Sequence, residues 1–181
     1  MPFGPADIRR LLELLNAELR KSGTTGEIYL VGGAVMCLAY GVRPSTKDID
    51  GLFVPAAAIR EAAARVAAAT STEPNWLNDA VKGYLSERGE FAPFLELDHL
   101  RVLVAQPAYL LAMKCLAMRL GAESHDEEDV RFLLRYLNVT SYDQALAIIA
   151  KYYPLERMPQ KTLYVLEELI PKAPLPTHVS R

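Results

Sequence analysis

Only two cysteines and three histidines occur among the 181 residues, and that scarcity narrows the classes of function at once. Cys37 and Cys115 both lie among apolar neighbours, with no CxxC spacing and no nearby histidine pair. The sequence therefore argues against a zinc site and a disulfide framework, and both cysteines are expected to be reduced core residues. An excess of positive charge is missing too: 20 basic against 22 acidic residues give a formal net charge of −2. No global field draws in a polyanion, so any RNA contact has to use a local patch. Long hydrophobic runs are absent as well. The start, MPFGPADIRR, has neither the basic nor the apolar part of a secretory signal, and the most apolar later stretch is interrupted by Lys114. The expectation is a cytoplasmic protein with no membrane partner.

What is present is the ordinary balance of a globular chain, with 51% apolar and 23% charged residues. A chain of this length fits one compact domain, or one with a helical appendage, and buries roughly 70% of its unfolded surface.

From Pro5 to Lys21, Ile8, Leu11, Leu12, Leu15 and Leu19 recur on one face, which predicts a helix with Pro5 in its first turn and Gly23 as its stop. Glu27 to Val31 reads as a strand broken by Gly32-Gly33, and Ala34 to Tyr40 as a second helix ending at Gly41. Lys47 to Val54 alternates as a strand that stops at Pro55, followed by an alanine-rich helix over 56–69 and a loop over 70–75. Phe91 to Ala105 reads as two short strands around Asp98-His99. Helices are predicted over Pro107 to Leu120, His125 to Leu137, Tyr142 to Tyr152 and Gln160 to Leu169. Strands are thus confined to the first 105 residues, which implies an α+β plan: a small mixed sheet flanked by helices, then a C-terminal helical lobe.

Two constellations carry chemistry. In the first, a strand leads through Gly32-Gly33 into a helix and on to a strand bearing Asp48 and Asp50. Two glycines at a strand end let the backbone approach a ligand closely, and amides at the following helix start suit a phosphate. Side chains two apart on a strand share a face, so Asp48 and Asp50 are expected to point the same way, where a divalent cation relieves their repulsion. Each motif alone is also what an ordinary turn or a solvated strand edge gives. Arg43, Ser45, Thr46 and Lys47, just before the aspartates, could contact phosphate or an acceptor through charge and hydroxyl donors, although a solvated turn explains them almost as well.

The second constellation is Lys114 with Asp126 and Asp129. Lys114 falls in the middle of an apolar helical face, which is costly unless it meets an anion. Ser124-His-Asp-Glu127 fits a capping box, and acidic residues in a first turn suit the helix dipole. Asp126 and Asp129 fall on the same side as Val130, Leu133 and Leu137, where a solvated carboxylate is not expected. Glu96 and Asp98 share a strand face, with Glu96 the better candidate for a further carboxylate and Asp98 beside His99 more like a turn. Trp76 is expected to pack against the sheet.

The Gly-Gly, then Asp-x-Asp, segment resembles the signature of the polymerase β superfamily of nucleotidyltransferases, and more closely its AbiEii/MenT-like toxin branch. That branch has a further Ala-x-Lys motif followed by a helix bearing Asp-x-x-Asp, which Lys114, Asp126 and Asp129 resemble in order and type. The resemblance implies a nucleotidyltransferase fold, with residues 1–105 as its core, 106–170 as a helical lobe packed on that core and 171–181 as a proline-rich tail. It implies magnesium or manganese held by Asp48 and Asp50, an NTP substrate, phosphate binding by Lys114, and Asp126 as a base or third acid. Asp126, Asp129, Glu96 and Asp98 all stay open as the third carboxylate. The toxin branch points to RNA, particularly the 3′ end of tRNA, as acceptor and to a cognate antitoxin protein as partner. The alternatives are a small-molecule or protein acceptor, or an inactive nucleotide- or partner-binding module.

Overall fold

A computed structural model describes residues 2–119 and 124–170, and the chain divides into two compact units. The first comprises the residues up to Leu85 together with Gly89–Gln106. The second comprises Ser86–Arg88 and the residues from Pro107 onward. The tripeptide Ser86–Arg88 belongs with the helices for a local reason: the Ser86 amide donates to the Tyr109 hydroxyl at 2.9 Å and its own hydroxyl donates to the Tyr152 carbonyl at 2.6 Å.

In the first unit, α1 (Pro5–Lys21) buries Ile8, Leu11, Leu12, Leu15 and Leu19 along the face its periodicity predicts, each contributing ~2 kcal/mol of apolar burial. Its start is fixed by Asp7, whose carboxylate accepts the Gly4 amide at 2.9 Å. Helix α3 (Ala56–Thr70) buries Ile59, Ala62, Ala63 and Val66. Helices α1 and α3 pack on one another, α1 also against β5 and α3 against β2.

The sheet is mixed and five-stranded, made of β1 (Gly26–Leu30), β2 (Ile49–Val54), β3 (Leu77–Asn78), β4 (Phe91–Glu96) and β5 (Leu100–Ala105) in the order β3-β2-β1-β5-β4. It joins β1 to β2 antiparallel, β1 to β5 parallel, β2 to β3 parallel and β4 to β5 antiparallel. Burial alternates along its centre: Ile28 and Leu30 of β1, and Ile49, Gly51 and Phe53 of β2, are buried, while Glu27, Tyr29, Asp50 and Leu52 are half-buried. Because a strand alternates its faces, Asp50 stands with Leu52, on the face away from Ile49 and Phe53.

Three local features depart from the sequence reading. The helix α2 (Gly32–Leu38) begins with the two glycines themselves rather than after them. Strand β2 begins at Ile49 rather than Lys47, and just before it Thr46 pairs with Phe3 in an isolated antiparallel bridge. Strand β3 and a short 3-10 turn over Ala80–Tyr84 fill a segment without periodic signal. Trp76 is buried, as its apolar body requires, and its indole N–H donates to the Ala63 carbonyl of α3 at 3.1 Å.

Among the described residues the regular elements of the second unit are helices, α4 (Pro107–Leu116), α5 (Asp126–Tyr136), α6 (Tyr142–Tyr152) and α7 (Gln160–Leu169), with a short 3-10 turn over Leu155–Arg157. Helix α4 packs against α5, α6 and α7 and buries every residue from Tyr109 to Cys115, which suits its almost wholly apolar sequence. It stops at Leu116, short of the predicted Leu120, which itself lies outside the described residues along with the proline-rich tail. Among the described residues no helix is long and apolar enough to cross a membrane.

Candidate functional site

The first constellation is assembled by the antiparallel pairing of β1 and β2. Leu30 stands opposite Gly51, and the Val31 amide donates to the Asp50 carbonyl at 3.0 Å. The pairing therefore delivers Asp50 to the point where the chain leaves β1 and turns into α2. Gly32 takes that turn with φ +65°, a left-handed conformation costly for any residue with a Cβ. A Cβ there would sit 3.4 Å from Asp50 Oδ2, so the carboxylate lies directly beside the turn.

Gly33 is required for a different reason. A Cβ on it would fall 2.7 Å from the Thr46 hydroxyl and 3.1 Å from an Arg43 guanidinium nitrogen. The sequence reading gave these glycines to a ligand's close approach; at Gly33 it is the chain's own loop that approaches. Arg43, half-buried, and Thr46, 6% exposed, are thereby held against the glycine turn.

Asp48 is exposed and precedes the strand by one residue, so the rule that residues two apart share a face does not extend from Asp50 to it. What holds its backbone is Thr46, whose hydroxyl donates to the Asp48 carbonyl at 3.1 Å. Ser45 is half-buried and Lys47 exposed on the same loop. Thus Gly32, Gly33, Arg43, Thr46 and Asp50 are brought together, with Asp48 bonded to the same loop.

Glu96 and Asp98 are not part of that grouping. Register aligns Glu96 with Arg101, and Arg101 with Glu27, which pairs with Val54. That row lies four residues along β2 from Asp50, or roughly 13 Å at the strand rise. Glu96 is 4.0 Å from Arg101, and Asp98 pairs with Arg20 at 2.6 Å. Glu27, Val54, Pro55, Glu96, Asp98 and Arg101 line an open depression at this far end of the sheet, so the concavity and the Asp50 turn are separate features.

The second constellation closes inside the second unit. The Lys114 ammonium lies 3.0 Å from Asp126 Oδ1 and 2.7 Å from Asp129 Oδ2, with all three side chains at most 10% exposed. The anion that a buried lysine demands is supplied by α5, which α4 packs against. Asp126 also accepts the Arg119 amide at 3.1 Å and the Ser124 hydroxyl at 3.0 Å, and its second oxygen is 3.3 Å from the exposed Arg119 side chain. Burial by itself would raise the Asp126 pKa, but Lys114 and these donors outweigh it and hold the carboxyl down to about 2. A carboxylate so stabilised stays ionised at neutral pH.

The capping box expected at Ser124 is not formed. The helix is capped at His125 without a side-chain bond, and the Ser124 hydroxyl turns instead to Asp126, accepting its amide at 3.2 Å as well as donating to its carboxylate. Both cysteines are buried, and burial pushes the Cys115 thiol up to about 12, so it is unreactive. Sequence reasoning missed Phe3, whose amide donates to the Thr46 carbonyl at 2.6 Å while its carbonyl accepts the Thr46 amide at 2.9 Å; the contact spans the whole of α1, β1 and α2 and leaves no local signal. Compared with protein-family models, with curated proteins and with solved structures, the chain matches none of them.

Proposed function

We propose that the first unit adopts the nucleotidyltransferase fold and transfers a nucleoside monophosphate from an NTP to an acceptor hydroxyl. The observation that carries this reading is the placement of the Asp50 carboxylate 3.4 Å from the Cβ position of the left-handed Gly32. A nucleotide polyphosphate following the glycine turn would meet backbone amides, the Arg43 guanidinium and an aspartate within one short stretch of surface.

Asp48 and Asp50 are hard oxygen donors, one exposed and one half-buried. Such a donor set fits magnesium or manganese, which take one or two carboxylates and complete their coordination with water and substrate phosphate. The ion, when bound, polarises the phosphoryl group and favours ionisation of the attacking hydroxyl. In the transfer, the acceptor oxygen forms a bond to the α-phosphorus and the bond from that phosphorus to the bridging oxygen breaks. Pyrophosphate leaves with the bond's electron pair, and the hydroxyl proton passes to solvent. Arg43 opposes the charge that develops on the departing phosphates.

The resemblance to toxin nucleotidyltransferases supports RNA, and first the 3′ end of tRNA, as acceptor, in a protein neutralised by a cognate antitoxin. It also assigns Lys114 and Asp126 a part in the reaction. The net charge of −2 allows as readily a second reading, in which the acceptor is a small molecule or a protein side chain.

The test is incubation with each labelled NTP, magnesium or manganese, and total RNA, beside an Asp50→Ala variant. Label on RNA with the wild type alone is the expected result. Label on protein or small molecules moves the assignment to the second reading, and no label under any condition leaves an inactive binding module.

A further inference from the structure

We infer that the N-terminal segment at Phe3 is a clasp that positions Asp48, acting through Thr46. The inference rests on the metal-binding reading of Asp48 and Asp50 and deepens it by naming what holds the more exposed of the two.

Asp48 belongs to no regular element. It lies between Thr46, whose strand-type bonding is an isolated bridge to Phe3, and the first residue of β2. An exposed aspartate on such a loop samples many positions, and a metal ligand loses affinity in proportion to how seldom it is in place. Three contacts reduce that freedom. Phe3 and Thr46 exchange two backbone hydrogen bonds, at 2.6 and 2.9 Å. The Thr46 hydroxyl reaches forward to the Asp48 carbonyl at 3.1 Å and lies 2.7 Å from where a Gly33 Cβ would be. A Gly4 Cβ would lie 3.6 Å from the Pro44 carbonyl, and the Gly4 amide is held by Asp7 in the first turn of α1.

These contacts form a continuous path. The loop is bonded to the segment before α1 through Phe3 and lies against the glycine turn at Thr46. Thr46 is buried and its hydroxyl proton is directed at Asp48, so it acts on the site through a backbone carbonyl. It is a positioning residue, and Phe3 positions it in turn. The Phe3 contribution is made by the backbone, which makes it indifferent to the side chain but sensitive to loss of the N–H.

The test is Mn2+ binding to the full chain, read by electron paramagnetic resonance of free Mn2+, with thermal melting recorded for every variant. Thr46→Val keeps the shape and removes the hydroxyl; Phe3→Pro removes the amide donor; Thr46→Ser and Phe3→Ala keep the respective bonds. The expected result is that Thr46→Val and Phe3→Pro need about tenfold more Mn2+ for half-saturation, while Thr46→Ser and Phe3→Ala stay within about twofold of the wild type. Wild-type affinity in Thr46→Val and Phe3→Pro overturns the inference whatever their melting temperatures. Loss of binding in Asp50→Ala with no change in the clasp variants overturns the clasp alone, whereas equal binding by wild type and Asp50→Ala, or no binding by either, overturns the metal site and the clasp with it.

Discussion

The chain carries two pairs of closely spaced aspartates, and the sequence around each leads them to opposite ends. Asp126 and Asp129 stand one turn apart on α5, are buried, and share the Lys114 ammonium at 3.0 and 2.7 Å. Asp48 is exposed just before β2, and Asp50 is half-buried within it, beside a glycine turn. In the first pair, two buried carboxylates and an ammonium would each be costly unpaired, and packing of α4 on α5 brings them together. The second pair lies nearer the surface, with Asp48 exposed and Asp50 half-buried. Acidic spacing alone therefore does not identify a site; the surrounding residues decide how deeply a carboxylate pair is buried and which cations it meets.

The sharpest way to break this contrast is to remove one member of each pair. Asp50→Ala should lower transfer by about three orders of magnitude in kcat/KM, or ~4 kcal/mol in the barrier, while its urea midpoint stays near the wild type. Lys114→Met should do the reverse to stability, costing ~4 kcal/mol by leaving two buried carboxylates without their cation. Adding Asp126→Asn and Asp129→Asn to it should restore most of that loss. Transfer assays on the triple variant then separate the roles: activity retained assigns the triad to structure, and activity lost in a stable protein returns Lys114 and Asp126 to the reaction.

The pH dependence sharpens the same comparison. Asp126 has a folded pKa lowered to about 2, below the ~3.9 of an unfolded aspartate. Its ionised form therefore favours the folded state, fully above the unfolded value, and that contribution of ~2 kcal/mol is lost as pH falls from about 4 through 2. Urea midpoints measured from pH 6 down to 2 should drop across this window, and Asp126→Asn should flatten the drop. Gly33→Ala is expected to cost ~1–3 kcal/mol, since its Cβ would meet Thr46 and the loop must give way. The smallest effect belongs to Asp48→Asn, which should change stability by no more than ~0.5 kcal/mol because the side chain is exposed.

Most of the fold was legible because its elements are periodic. The apolar stripe of α1, the alternation of β1, the hairpin around Asp98-His99 and the four helices of the second unit all follow from local pattern. The short β3 was not legible, since two residues carry no period, and its existence depends on pairing with Ile49 and Asp50. Within the candidate site, the glycine turn and Asp50 were readable as motifs, and so was the need of Lys114 for an anion. The position of Asp48 outside the strand was not. The long-range bridge between Phe3 and Thr46 and the position of the Thr46 hydroxyl, 2.7 Å from where a Gly33 Cβ would be, are equally invisible to spacing. The same limitation made Glu96 attractive: strand alternation gives the face a residue occupies, but only register gives its distance from Asp50.

The most direct measurement is a crystal structure of the full chain soaked with Mn2+ and a non-hydrolysable NTP analogue, with the metal located by its anomalous signal. The account predicts a peak bound by the Asp48 and Asp50 carboxylates with the analogue's phosphates over Gly32 and Gly33. A peak at Glu27, Glu96 or Asp98, with the glycine turn bare, would contradict it.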